Sequence, residues 1–144
     1  MSLGKQAGRC VLALVLGLGA GAAPADVVVI VSSGSPVVEL SKNQLADIFM
    51  CKVRRFPDGR EVVPIDQEEG SVARDEFYAR FTGKSAAQIK AYWLKNIFTG
   101  RGEPPKDVLS SGSEVKKRVA ENPNAIGYIE QGEVDGSVRV LLPK

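Results

Sequence analysis

The chain has 144 residues, 44% of them hydrophobic, with a formal net charge of +2, two cysteines and no histidine. That length suits one domain. The missing histidine excludes a Ser-His-Asp triad, a Cys-His pair, His-ligated zinc and a histidine pH switch, and two cysteines cannot build a four-cysteine zinc site or a dense disulfide framework.

Residues 1–25 read as a secretory leader. Lys5 and Arg9 charge its start, residues 11–20 are a continuous apolar and glycine run, and Ala23 and Ala25 place small side chains at a cleavage site. The apolar run falls short of the roughly 20 residues that a membrane span needs, although a retained anchor is the alternative. Cys10 precedes that run, whereas a lipid-modified cysteine would follow it. Cleavage takes away two of the 19 basic side chains, Lys5 and Arg9, and none of the 17 acidic ones. Residues 26–144 are then a neutral single domain with one cysteine, Cys51. Such a chain has no bulk electrostatic pull toward nucleic acid or an anionic membrane. With no intrachain disulfide available, its core must hold the fold.

The mature region alternates strands and helices. Residues 26–31 are a β-branched run bounded by Ser32, Ser33, Gly34, Ser35 and Pro36, which predicts a buried strand and a turn. Ser41 and Gln44 form a capping box ahead of Leu45, Ile48 and Phe49 at helical spacing. Pro57, Asp58 and Gly59 make a turn into a second strand over 61–66, whose internal Pro64 predicts an edge or a bulge. Gly70 and Ser71 open a helix with Ala73, Phe77 and Phe81 on one face, ended by Gly83. Ser85 and Gln88 cap the next, whose apolar stripe is Ala86, Ile89, Trp93 and Ile97.

Gly100, Gly102, Pro104 and Pro105 then mark a surface loop. Ser111 and Glu114 predict a third capping box, before a helix carrying Val115 and Val119 that Asn122 and Pro123 stop. Strands over 125–129 and 137–142 close the chain. The order β, α, β, α, α, α, β, β predicts an α/β domain, a small mixed sheet flanked by helices.

Few residues can carry chemistry. The free N–H groups at the helix start by Gly70 and Ser71 can hold an oxyanion, with the Ser71 hydroxyl adding a donor and Arg74 a charged one. The alternative is that Ser71 or Glu69 only caps the helix. Ser110, Ser111 and Ser113 put three hydroxyls at another helix start and offer a second jaw, and the turn 32–35 is a third hydroxyl-rich element. Asp66, Glu68 and Glu69 crowd the first site with negative charge. Asp66 and Glu68 read as solvated surface charges, and D-x-E-E lacks the spacing of a calcium loop. Lys52, Arg54 and Arg55, with Lys116, Lys117 and Arg118, read as solvated faces or partner contacts. Trp93 reads as core, and Cys51 as half-buried and without a catalytic base. No cofactor or metal is implied.

Three segments also carry a family resemblance. One is 61–71, with Gln67, Glu69, Gly70 and Ser71, followed by Phe77. The second is 45–49 with the basic residues after it, and the third is 124–130 with Ala125, Ile126, Gly127, Tyr128 and Ile129. Together they resemble the periplasmic phosphate-binding proteins of ABC transporters, and the likeness covers about residues 26–135. The resemblance implies a PBP-like (type 2 periplasmic-binding) domain in a short, one-lobe form, since family members of full length close two lobes over the anion.

It further implies that Gly70 and Ser71 belong to the anion cradle and that Glu69 matches an acidic residue that accepts the phosphate proton. Two departures stand out. The family places an arginine where Gln67 stands and a Gly-Thr pair where Val72 and Ala73 stand, and Arg74 is the candidate substitute for that arginine. The expectation is a non-enzymatic periplasmic protein that binds phosphate or a related oxyanion through Glu69, Gly70, Ser71, Arg74, Ser111 and Ser113. It would be linked to ABC-type uptake or sensing through a membrane transporter or sensor, and a homodimer or partner would supply a second wall. The alternative is a ligand-free interaction module that contacts a membrane partner.

Overall fold

The computed structural model describes residues 26–141, so the leader predicted for 1–25 lies outside the described residues. The chain runs through β1 (Val27–Ser32), α1 (Lys42–Phe49), β2 (Val63–Gln67), α2 (Val72–Thr82), α3 (Ala86–Thr99), β3 (Asp107–Leu109), α4 (Gly112–Glu121), β4 (Ala125–Glu130) and β5 (Val138–Leu141). A single-turn 3-10 helix, Gln131–Glu133, follows β4. The strands form one mixed sheet in the order β3-β2-β4-β1-β5. Within it β2 runs parallel to both β3 and β4, whereas β1 is antiparallel to β4 and to β5.

Period-two alternation in the strands sends side chains to two cores. Val27, Val29, Val31, Ile126 and Tyr128 point to the face covered by α1, α2 and α3, where they meet Leu45, Phe49, Phe77, Ile89 and Trp93. Ile30, Ile65, Ala125 and Ile129 point to the opposite face and pack on Val115 and Val119 of α4. The sheet is therefore sandwiched by helices, and the α/β class expected from the element order holds.

The local signals act as their chemistry requires. Complete capping boxes start α1 (Ser41, Gln44) and α3 (Ser85, Gln88), and Gly83 and Gly100 end α2 and α3 in the left-handed conformation. The third box is only half formed. Ser111 Oγ accepts from Glu114 N at 3.2 Å, but the Glu114 carboxylate accepts from the amide and hydroxyl of Ser110 rather than from the Ser111 amide. Those two bonds hold the Glu114 carboxyl below its usual range.

Two elements differ from expectation. The loop after Pro105 contains the edge strand β3, three residues paired in parallel with Ile65, Asp66 and Gln67. A strand that short carries no readable periodicity; it exists because β2 offers it a partner. For the same reason β2 is an interior strand, not an edge. Pro64 is tolerated because pairing with β3 begins only at Ile65 and Val63 N bonds Asn124 O on the β4 side, so the proline nitrogen faces the side that has no neighbour at that level.

Gly127 sets how closely α4 lies on the sheet. A Cβ there would stand 2.7 Å from Val115 Cγ1 and 3.1 Å from Val119 Cγ2, both fully buried. Gly127→Ala should therefore destabilise the protein by about 1–3 kcal/mol through overpacking, read as a lower urea midpoint with an unchanged m-value.

Candidate functional site

Because β2, β3 and β4 are mutually parallel, their carboxyl ends share one edge of the sheet, the position where α/β folds bind ligands. Gln67 ends β2, Ser110 follows β3 and Glu130 ends β4. The chain leaves β2 for the N-terminus of α2 and leaves β3 for that of α4. The two helix starts consequently face a common cavity of about 230 Å³, lined by Gln67, Ser71, Ala73, Ser111, Glu130 and Glu133 among others.

Serine caps both helix starts. Ser71 Oγ accepts from Arg74 N at 3.2 Å and donates to Gln67 Oε1 at 2.8 Å. Ser111 caps α4 and lies 3.4 Å, hydroxyl to hydroxyl, from the exposed Ser113. The remaining amides of each first turn carry the partial positive charge of the helix dipole. Gly70 makes the entry to α2 possible: its φ of 94° is a conformation that a side chain would strain.

The floor of the site is a buried polar knot. Asp66, which the sequence places among solvated surface charges, is only 3% exposed. Its carboxylate accepts from Gln67 N at 2.8 Å, from the Tyr78 hydroxyl at 2.6 Å and from the Tyr128 hydroxyl. Charge-assisted hydrogen bonds from two phenols and an amide compensate its burial, which period-two patterning could not foresee. Burial pushes the Tyr78 and Tyr128 phenols well above their ordinary range, and the neighbouring Asp66 charge pushes them further. Gln67 is equally committed: its carboxamide donates to Tyr128 O at 2.9 Å while accepting from Ser71.

The six candidate residues do not all meet. Ser71 and Ser111 line the common cavity, and Gly70 precedes it in the turn. Ser113 turns outward beside Ser111. Arg74 and Glu69 lie on the other side of Gln67, along a second cavity toward α3. There Arg74 stacks over the Tyr78 ring with Nε 3.8 Å from Asp66 Oδ1, and Glu69 sits 3.6 Å from Lys90 Nζ.

The turn 32–35 is not part of the site either. β1 is antiparallel to β4, and hence to β2, so its carboxyl end lies at the opposite edge of the sheet, where Ser32 Oγ donates to Ala120 O near the end of α4. Sequence reasoning missed Glu130 and Glu133. Glu130 ends the 124–130 segment and Glu133 follows it, neither with a site pattern of its own, and only the parallel pairing of β2 and β4 brings them opposite Ser71. A Cβ on Gly112 would stand 2.1 Å from Glu133 Oε2, so the Glu133 carboxylate lies against the first turn of α4.

Comparison with solved structures identifies this architecture. An ABC-type phosphate transport receptor from Vibrio cholerae superposes with a TM-score of 0.64 at 22% identity, over 81% of this chain and 45% of that one. The fold is PBP-like. An inferred phosphate ABC transporter substrate-binding protein from Clostridium perfringens, with bound phosphate, matches with a TM-score of 0.63 at 25% identity, over 81% of this chain and 44% of that one. PstS from Borrelia burgdorferi matches with a TM-score of 0.63 at 16% identity, over 83% and 47%. The chain thus spans under half the length of these structures, and the PBP-like likeness at such identities is one of fold. No protein-family model and no curated protein matches.

Among the described residues no group of three or more Cys, Asp or Glu side chains converges to hold a metal ion, and no helix is long and apolar enough to cross a membrane. Cys51 is a free, half-buried thiol whose pKa burial raises. Two of the three basic residues of α4 are engaged: Lys116 reaches Asp135 at 3.0 Å and Arg118 reaches Asp107 at 2.8 Å.

The polar knot generates two expectations. Asp66→Ala leaves two buried phenols and a buried amide without their acceptor, and should lower stability by about 3–5 kcal/mol in urea unfolding. Because the folded state favours the neutral phenols of Tyr78 and Tyr128, their contribution to stability is full below an unfolded-state pKa of about 10 and is lost above it. The urea midpoint should decline only shallowly above about pH 9, where the Cys51 thiol begins to ionise in the unfolded chain, and fall more steeply beyond about pH 10.

Proposed function

We propose that this chain is a periplasmic, non-catalytic binding module of the substrate-binding type. It takes phosphate or a related oxyanion between the starts of α2 and α4 and hands it to ABC-type uptake or sensing. The observation that carries this is the pair of serine-capped helix N-termini, at Ser71 and Ser111, opening on one cavity at the carboxyl edge of parallel strands. The solved structures of similar fold, described as phosphate transport and phosphate-binding proteins, agree with it. The leader-like residues 1–25 supply the route to the periplasm, and a membrane transporter or sensor is the partner.

The lining sets the chemistry of the ligand. Gln67 contributes no charge and its amide groups are already bonded, no lysine or arginine lines the cavity, and Glu130 and Glu133 do. A fully deprotonated dianion would meet those carboxylates with only helix dipoles to offset them. An oxyanion that keeps a proton can donate it to one of them, which favours hydrogen phosphate over sulfate. The cavity is open on one side, so affinity is weak unless a partner or a second copy of the chain provides the other wall.

A second reading, a ligand-free interaction module that contacts a membrane partner, draws on the same two glutamates and the absence of a cation from the lining. Isothermal calorimetry separates them. Phosphate should give a saturable signal with Kd of about 1 mM, sulfate should bind more weakly, and Ser71→Ala should weaken phosphate binding about three- to tenfold while the protein stays folded. No heat at about 10 mM phosphate would leave the interaction module as the function.

A further inference from the structure

The helix α3 is apolar on two sides. Ile89 and Trp93 face the core. At about 100° per residue, Ala87, Ala91, Leu94 and Phe98 form a stripe about 150° away, on the outer side of the helix. All four are exposed, Leu94 by 57% and Phe98 by 94%, and Ile97 beside them by 54%. Ile97 and Leu94 share a recess with Val108 of β3, itself 45% exposed, so the apolar surface continues past the helix. A helix on the outside of a domain turns its polar face to water, and a second apolar stripe there marks a surface that something covers.

Positive charge is concentrated around the stripe. Residues 84–106, which hold α3 and the loop after it, carry Lys84, Lys90, Lys95, Arg101 and Lys106 against a single acidic residue, Glu103, a net charge of +4. The neutral total of residues 26–144 hides this local excess. α3 itself contains no Asp or Glu, and Lys90 and Lys95 stand on opposite flanks of the stripe. Lys95, Arg101 and Lys106 are exposed, and Lys90 stays in solvent even though it reaches Glu69 at 3.6 Å.

This charge selects the occupant. A second copy of the chain would bring the same cations against themselves. A coiled-coil partner needs its seam sustained over three or four heptads, whereas this one lasts about one and a half before Gly100 ends the helix. Phe98 projects into solvent, which suits a deformable phase better than a rigid partner. An anionic bilayer answers both features: its acyl boundary takes apolar side chains, and its headgroups take lysines whose long stems let the ammonium groups reach them. We propose that the outer face of α3 docks on an anionic phospholipid surface. Leu94 and Phe98 enter the headgroup boundary, and Lys90, Lys95 and Arg101 lie at the lipid phosphates. The proposal does not rest on the oxyanion reading, since none of these residues lines the serine-capped cavity.

Both cores are built from residues 27–141, so the expected mature chain, residues 26–144, is the form to test. It should co-sediment with phosphatidylcholine vesicles containing about 30% phosphatidylglycerol, and at least about tenfold less with phosphatidylcholine alone. Salt at about 0.5 M should release it. Phe98→Gln should lose at least about tenfold in vesicle affinity, with an unchanged urea midpoint because that ring is outside the core. Lys95→Glu should lose about tenfold, while Lys117→Glu, the same change of net charge on the opposite side of the sheet, should lose little. Absence of binding to the anionic vesicles, binding that Phe98→Gln leaves intact, or equal losses from the two lysine variants would overturn the proposal. So would light scattering that shows a dimer which Phe98→Gln dissolves, since a second copy would then be the occupant.

Discussion

The Asp66 carboxylate is the constraint around which the described chain is arranged. It sits at the end of an interior strand, buried, and draws the Tyr78 hydroxyl from α2 and the Tyr128 hydroxyl from β4 onto one residue of β2. A buried carboxylate is tolerable only when such donors surround it. Their presence ties α2 to the sheet at the point where it leaves β2. The aromatic rings that bring those hydroxyls in are themselves packed tightly: Phe77 stacks on Tyr128 at 4.1 Å with the planes 3° apart, and Phe49 meets both edge-on. Polar knot and aromatic core are therefore one unit, with the apolar contacts setting the positions that the hydrogen bonds require.

That unit divides the carboxyl edge of the sheet in two. Gln67, bonded to Tyr128 O and to Ser71, forms a wall with a polar cavity between the starts of α2 and α4 on one side. On the other side lies an apolar recess bounded by α3 and β3. An arginine at position 67 would have offered a charge to the first cavity. The glutamine instead ties β4 to the start of α2, and Arg74 lines the second cavity. The electrostatic character of each cavity follows from this division: helix dipoles and the carboxylates of Glu130 and Glu133 in one, charges of both signs from Asp66, Glu69, Arg74 and Lys90 in the other.

Much of the fold was legible because its signals are local. Capping boxes at Ser41 and Ser85, the glycine stops at Gly83 and Gly100, and the β-branched run of β1 depend on residues within one turn or one strand. The serine starts of α2 and α4 were legible for the same reason. What escaped was set by pairing at a distance. β3 is a strand only because β2 lies beside it; the half-built box at Ser111, by contrast, is a local competition in which the Glu114 carboxylate bonds Ser110. Asp66 looked like a surface charge because neither of its phenolic partners is near it in sequence.

The sequence by itself determined the α/β class, the helix boundaries and the two serine-capped helix starts, since propensity, capping and hydrophobic period act over a few residues. Which of those starts share a cavity was decided by strand direction, a tertiary property. Parallel β2, β3 and β4 bring Ser71, Ser111, Glu130 and Glu133 to one edge, and the antiparallel β1 sends the serine-rich turn after it to the other. Burial, likewise tertiary, turned Asp66 into a structural anchor and left Arg74 and Trp93 with donors facing no acceptor, because desolvation depends on the whole packed environment rather than on neighbours along the chain.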